Sequence, residues 1–200
     1  QRHHGITTGA VRIEPTSLGG NNYIMQIDED YVRVTGVVIN GISISTGMEL
    51  SGVKIGSVNA TNTDIRLDKM IITQIKTAGT YGLDAYGIKI PDGTVTIRNS
   101  AIFDIKGSGT SDAFGIYEYS NDTCNIYANT VYDVSGVYAN SYGIYSGNGG
   151  TTYIKNNYSG LASGGGTETD FSGGTQDHNV SSDGTASGTG SFTYKNSISD

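Results

Sequence analysis

Apolar and polar positions recur along this chain with a single period. The phrases "YVRVTGVVING" (31–41), "DIRLDKMIITQI" (64–75), "TVTIRNSAIFDI" (94–105) and "TCNIYANTVYDV" (123–134) align on Val34, Leu67, Ile97 and Ile126, with Ile154 next. The intervals between these anchors are 33, 30, 29 and 28 residues. Two places before each anchor stand Val32, Ile65, Val95, Cys124 and Thr152. Five places after stand Ile39, Ile72, Ile102, Val131 and Ser159, and eight after, Ile42, Ile75, Ile105, Val134 and Ala162. Alternation from −2 to 0 predicts a strand with one face inward. The change of phase between 0 and +8 predicts corners, where the chain starts a new wall.

A second phrase repeats in the same register. "DAYGIKI" (84–90), "DAFGIYEY" (112–119) and "NSYGIYSG" (140–147) place Gly87, Gly115 and Gly143 at intervals of 28 residues, and Gly52 fits before them. Aromatic residues precede three of these glycines, at Tyr86, Phe114 and Tyr142, and Val53, Ile88, Ile116 and Ile144 follow the four. Fixed self-similarity at this period is the mark of a solenoid. The expected fold is all-β: a right-handed single-stranded parallel β-helix of five to six coils of 28–33 residues. Inward positions then stack on their equivalents about 4.8 Å apart, and the preference for right-handed crossovers sets the hand. A leucine-rich repeat has a similar period, and "CNIYANTV" mimics its phrase. Leucine is scarce, however, and no segment between the strands has helical spacing.

Composition fits strands and turns. Gly is 30 of 200 residues, Pro 2 and Tyr 14, and Trp is absent. Net charge is −7 without a Lys/Arg cluster, so the basic stripe of a nucleic-acid binder is missing. No apolar run is long enough for a helical membrane span. The lone cysteine, Cys124, falls on an inward position and reads as a small buried hydrophobe.

The phrases "VTIRNSAIFDIKG", "CNIYANTVYDVSG" and "TYIKNNYSG" resemble repeats of the right-handed parallel β-helix proteins of the pectate-lyase-like superfamily, over about residues 22–175. The opening and closing segments are similar to those of uncharacterised secreted or phage-encoded members. The resemblance implies a β-helix; a polysaccharide or cell-surface glycan is the expected partner because sugar rings pack their apolar faces on exposed aromatics, and the chain offers a tyrosine-bearing flank. The resemblance leaves activity open, because that fold carries enzymes, adhesins and tailspikes. Of the polygalacturonase-type motifs only "NTD" (62–64) occurs.

The repeat is expected to occupy 1–178, with 1–30 as a first partial coil and 179–200 as a Gly/Ser/Thr-rich extended flank or linker. No amphipathic capping helix is visible at either end, so self-association through uncapped coil ends is expected, or a chain that is a piece of a longer one.

Equivalent side chains on neighbouring coils define the candidate chemistry. Asp104 and Asp133 share position +7, with Gln74 below. Stacked about 5 Å apart, they match the separation of the two carboxylates in a retaining glycosidase. One of the pair is then expected to titrate high. Asp84 and Asp112 precede the aromatic-Gly step, with Asn140 above, and read as turn residues bonding backbone amides. Arg98 and Asp68 are expected to stack as a surface ion pair. Glycan-binding candidates are Phe103 and Tyr132 at +6, Tyr117 and Tyr145 above Lys89, and Tyr127 and Tyr153 on outward positions of the first strand. Each pair also reads as cross-strand stacking. Tyr86, Phe114 and Tyr142 are expected in a core or corner stack, beside glycines that let the chain turn. His3, His4 and His178 lack metal-ligand spacing, so no metal site and no cofactor are expected. Glycosylation sequons at 59–61, 121–123, 157–159 and 179–181 are frequent enough by composition alone to carry no reading.

The expected function is a non-catalytic structural or glycan-binding β-helix segment of an extracellular, cell-surface or virion protein. The alternative is a polysaccharide lyase or glycoside hydrolase, with Asp104 and Asp133 as acid and base.

Overall fold

The computed structural model describes residues 11–18, 22–44, 49–56, 63–78, 84–147 and 149–194. His3, His4, Asn62 of the "NTD" tripeptide and the sequon at 59–61 lie outside them. Among the described residues every regular element is a strand, and all pairings are parallel. Three sheets form the walls of a β-solenoid.

The first wall holds Arg33–Thr35, Ile65–Asp68, Val95–Arg98, Thr123–Tyr127, Thr151–Lys155 and Thr175–Asp177. The second holds Val11–Ile13, Val37–Asn40, Ile71–Thr77, Ala101–Gly107, Thr130–Gly136, Tyr158–Gly164, Val180–Ser181 and Phe192–Thr193, with Ser43–Ile44 beside Ile71–Thr77. The third holds Tyr23–Ile27, Leu50–Ile55, Ala85–Ile90, Ala113–Glu118, Ser141–Ser146 and Glu168–Ser172. Chain order runs first, second, third wall and round again, giving five complete coils between Arg33 and Ser172.

The predicted register holds rung by rung. Val34 pairs with Leu67, Leu67 with Ile97, Ile97 with Ile126 and Ile126 with Ile154. The +5 series pairs from Ile39 through Ile72, Ile102 and Val131 to Ser159. These columns face inward, and Ile65, Leu67, Ile72, Ile75, Ile97, Ile102 and Ile126 are fully buried in one core. β-Branched side chains suit this interior, because each packs on its own kind one rung away.

The corners come from left-handed residues, only some of them Gly or Asn. At +2 the chain turns from first to second wall through Lys69, Asn99, Ala128, Asn156 and His178, with φ of 56°, 53°, 53°, 56° and 51°. At +7 the second wall bends through Gln74, Asp104, Asp133 and Leu161, with φ of 59°, 56°, 53° and 60°. This bend shifts the inward phase from +5 to +8, so Ile75 and Ile105 return to the core. Next to the first corner, Asn129, Asn157 and Asn179 stack inside as a ladder. Asn157 and Asn179 accept the backbone N–H of Asn129 and Asn157 at 2.9 Å, and Asn129 accepts that of Ser100 at 3.0 Å. Their Nδ2 groups donate to the carbonyls of Ile97, Ile126 and Ile154.

The stretch expected as a flank beyond 178 continues the solenoid as far as it is described. Val180–Ser181 and Phe192–Thr193 add rungs to the second wall. Between them the chain crosses the end of the third wall. Asp183 Oδ2 accepts the Asp170 N–H at 2.8 Å, and Thr185 Oγ1 accepts that of Phe171 at 2.9 Å. Ala186 packs on the core. The loop thus covers the end of the third wall, where side-chain oxygens satisfy edge amides that would otherwise seek another strand.

Candidate functional site

On the second wall's outer face, Lys106 stands between the two candidate acids. Its Nζ lies 2.9 Å from Asp104 Oδ1 and 3.5 Å from Asp133 Oδ2, and Lys76 Nζ lies 2.8 Å from Asp104 Oδ2. Burial raises the Asp104 carboxyl, but the hydrogen bonds from Lys76 and Lys106 outweigh it and its pKa lies below the ordinary value. The upward shift expected of a like-charge pair is therefore reversed there. Lys106 is held charged in turn, first by its hydrogen bond to Asp104. Both aspartates also occupy left-handed bend positions, where a short acceptor side chain is favoured.

A depressed carboxyl contributes stability above its unfolded pKa of 3.8 and loses it as pH falls through the lower folded value. Replacing Lys106 with Met is expected to cost less than about 1 kcal/mol at neutral pH, since the cluster is partly exposed. The deficit relative to wild type should shrink as pH falls from neutral to below the unfolded value of 3.8, which urea midpoints across that range will read.

Beside this cluster Phe103 and Tyr132 stack, ring centroids 4.8 Å apart and planes 6° from parallel. On the first wall, Arg98 meets Asp68 at 3.4 Å, the ion pair read from the register. Tyr127 and Tyr153 face outward there but sit diagonally, Tyr127 opposite Lys155 and Tyr153 opposite Asn125. Tyr127 donates its hydroxyl to Asn125 Oδ1 at 2.6 Å, and Lys155 Nζ lies 5.8 Å from the Tyr153 ring centroid.

The third wall carries most of the aromatic surface, in two outward columns. One runs Tyr86, Phe114, Tyr142 and the other Lys89, Tyr117, Tyr145. Within the first, neighbouring ring centroids are 5.2 Å apart and within 9° of parallel. In the second, Tyr117 and Tyr145 are 5.3 Å apart and 4° from parallel. Rings that close and that parallel cannot lie side by side in one plane, so they stack with a sideways offset. Across the columns contacts are edge to face, from 4.7 Å for Phe114–Tyr117 to 5.7 Å for Phe114–Tyr145. Tyr86 and Phe114 are buried, yet outside the core cluster, under the neighbouring rings. Tyr119 stacks on Tyr117 at 5.9 Å and is 47% exposed. Lys89 lies 4.4 Å from the Tyr86 ring centroid and 2.6 Å from Glu49. Burial, above all, pushes the Tyr117 hydroxyl up to about 12. Tyr86 and Tyr142 are raised too, first by burial, then by Asp84 and Asp112 respectively.

At the neighbouring corner Asp84, Asp112 and Asn140 form an outer ladder. Their Oδ1 atoms accept the N–H of Asp112, Asn140 and Thr167 in turn, each at 2.9 Å. Two acidic groups that the repeat did not single out lie inside. Glu118, in the column of Ile90, accepts from Ser120 N–H, Ser146 Oγ and Thr152 Oγ1 at 2.6–2.8 Å. Asp170 accepts from the Ser182 N–H and hydroxyl and the Asp183 N–H, and burial raises its carboxyl above the ordinary range. Cys124 is buried, and desolvation pushes its thiol up. Among the described residues no group of three His, Cys, Asp or Glu side chains is placed to hold a metal ion, and no helix is long and apolar enough to cross a membrane.

Compared with protein-family models, with curated proteins and with solved structures, the chain matches none of them.

Proposed function

We propose that the chain is a non-catalytic β-helical rod segment of an extracellular, cell-surface or virion protein. The observation that carries this reading is where the reactive side chains are spent. Lys106 ties Asp104 to Asp133, and Asp84 and Asp112 cap backbone amides of the next coil. A carboxyl held ionised by two lysines is a poor general acid at neutral pH. Even the aromatic columns spend their faces on one another, which binds coil to coil along the rod. The likeness of the repeat phrases to the pectate-lyase-like superfamily supports a polysaccharide as the partner class. Tyr119, exposed beside Tyr117, favours contact with glycan at the edge of the third wall.

A polysaccharide panel tests this in two readings, binding and release of reducing or unsaturated ends. Edge binding that falls with Tyr119→Ala, with no release, is expected. Release that disappears in Asp104→Asn or Asp133→Asn would move the chain to the lyase or hydrolase class.

A further inference from the structure

The third-wall tyrosines form more than a packing device. We propose that Tyr117 and Tyr145 are a site of oxidative modification, at which a peroxidase-type one-electron oxidant joins them as a dityrosine staple between adjacent coils. The two residues are direct partners on adjacent coils, and their rings stack with centroids 5.3 Å apart and planes 4° from parallel. The carbon beside each hydroxyl, where a phenoxyl radical carries spin, is thereby held near its counterpart on the adjacent coil.

The parallel column supplies a control within the same wall. Phe114 separates Tyr86 from Tyr142 there, and phenylalanine has no phenol to oxidise. Phe103 likewise interrupts the stack with Tyr132. The edge-to-face pairs Tyr86–Tyr117 and Tyr142–Tyr145, 62° and 65° from parallel, aim an edge at a face and do not match the two carbons. Access comes through Tyr119, which is 47% exposed and in ring contact with Tyr117 at 5.9 Å.

The step balances with hydrogen peroxide as the terminal oxidant. Each phenol gives up one electron and one proton. The two phenoxyl radicals form one carbon–carbon bond, and loss of the two ring hydrogens to the oxygens restores both phenols. The two electrons and two protons reduce one peroxide to two waters.

The test treats the whole chain with a haem peroxidase and dilute peroxide. It reads dityrosine fluorescence, and mass spectrometry after cleavage at acidic residues. Expected is a Tyr117–Tyr145 link within one molecule. Tyr117→Phe and Tyr145→Phe keep the ring stack but lose the phenol, and should each lower monomer fluorescence about tenfold. Tyr138→Phe, removing a tyrosine that is 76% exposed, should leave it unchanged. Links found only between molecules, or fluorescence that survives Tyr117→Phe, overturn the proposal.

Discussion

Replacing Asn157 with alanine is expected to destabilise the fold by about 3–5 kcal/mol, because it leaves several buried partners without a hydrogen bond. Its Oδ1 accepts the Asn129 N–H at 2.9 Å and the Asn129 amide at 3.1 Å. Its Nδ2 donates to the Ile126 carbonyl at 2.8 Å and to Asn179 Oδ1 at 3.2 Å. The residue is 2% exposed, so water does not reach these groups in the intact coil. Solenoid stability is a sum over neighbouring repeats. The loss therefore falls on the junction between the fourth and fifth coils and loosens the C-terminal rungs first. Urea unfolding followed by circular dichroism measures it, with a thermal midpoint lower by about 10 °C. Arg98→Ala provides the contrast. It removes an ion pair whose arginine side chain is 51% exposed, which is worth at most about 1 kcal/mol. If the two variants unfold alike, the ladder does not hold the coils together.

That contrast also marks what could be read from the chain. The inward columns were legible because apolar residues at −2, 0, +5 and +8 have no other reason to recur every 28–33 residues. Where the same columns turn polar the signal stops. Ser159, Ser181 and Thr193 continue the +5 column, and Gln176 continues the anchor column, so the last rungs looked like a flank. The asparagine ladder was hidden for a similar reason: in a chain rich in Asn, Asn129 and Asn157 look like turn residues. Glu118 was hidden because it breaks its column of isoleucines. At the candidate acids, register placed Asp104 over Asp133 but could not show Lys106 between them, since the reach of a long side chain is not written in a period. Register also put Tyr117 over Tyr145 correctly, while the orientation of the rings, which decides what surface they offer, is set by packing across the two columns.

The glycine column was legible as a position and misread in its cause. Gly87, Gly115 and Gly143 were expected to let the chain turn, but neither they nor Gly52 has a left-handed φ. Space requires them instead. A Cβ on Gly115 would lie 2.6 Å from the Gly143 carbonyl oxygen and 2.3 Å from Val131 Cγ1; one on Gly143 would lie 2.6 Å from the Asp170 oxygen and 1.8 Å from Ser159 Oγ. A side chain can rotate away. The carbonyl belongs to the next rung and moves only if parallel pairing on the third wall opens. Gly115→Ala is therefore expected to reach or pass the upper end of ordinary overpacking, about 3 kcal/mol. Adding Val131→Ala separates the two contacts, because it clears the methyl and leaves the carbonyl. The double variant should recover no more than part of the lost urea midpoint. Full recovery would place the obstruction in the core side chain, and a single variant within about 1 kcal/mol of wild type would mean that the rungs yield more easily than close packing allows.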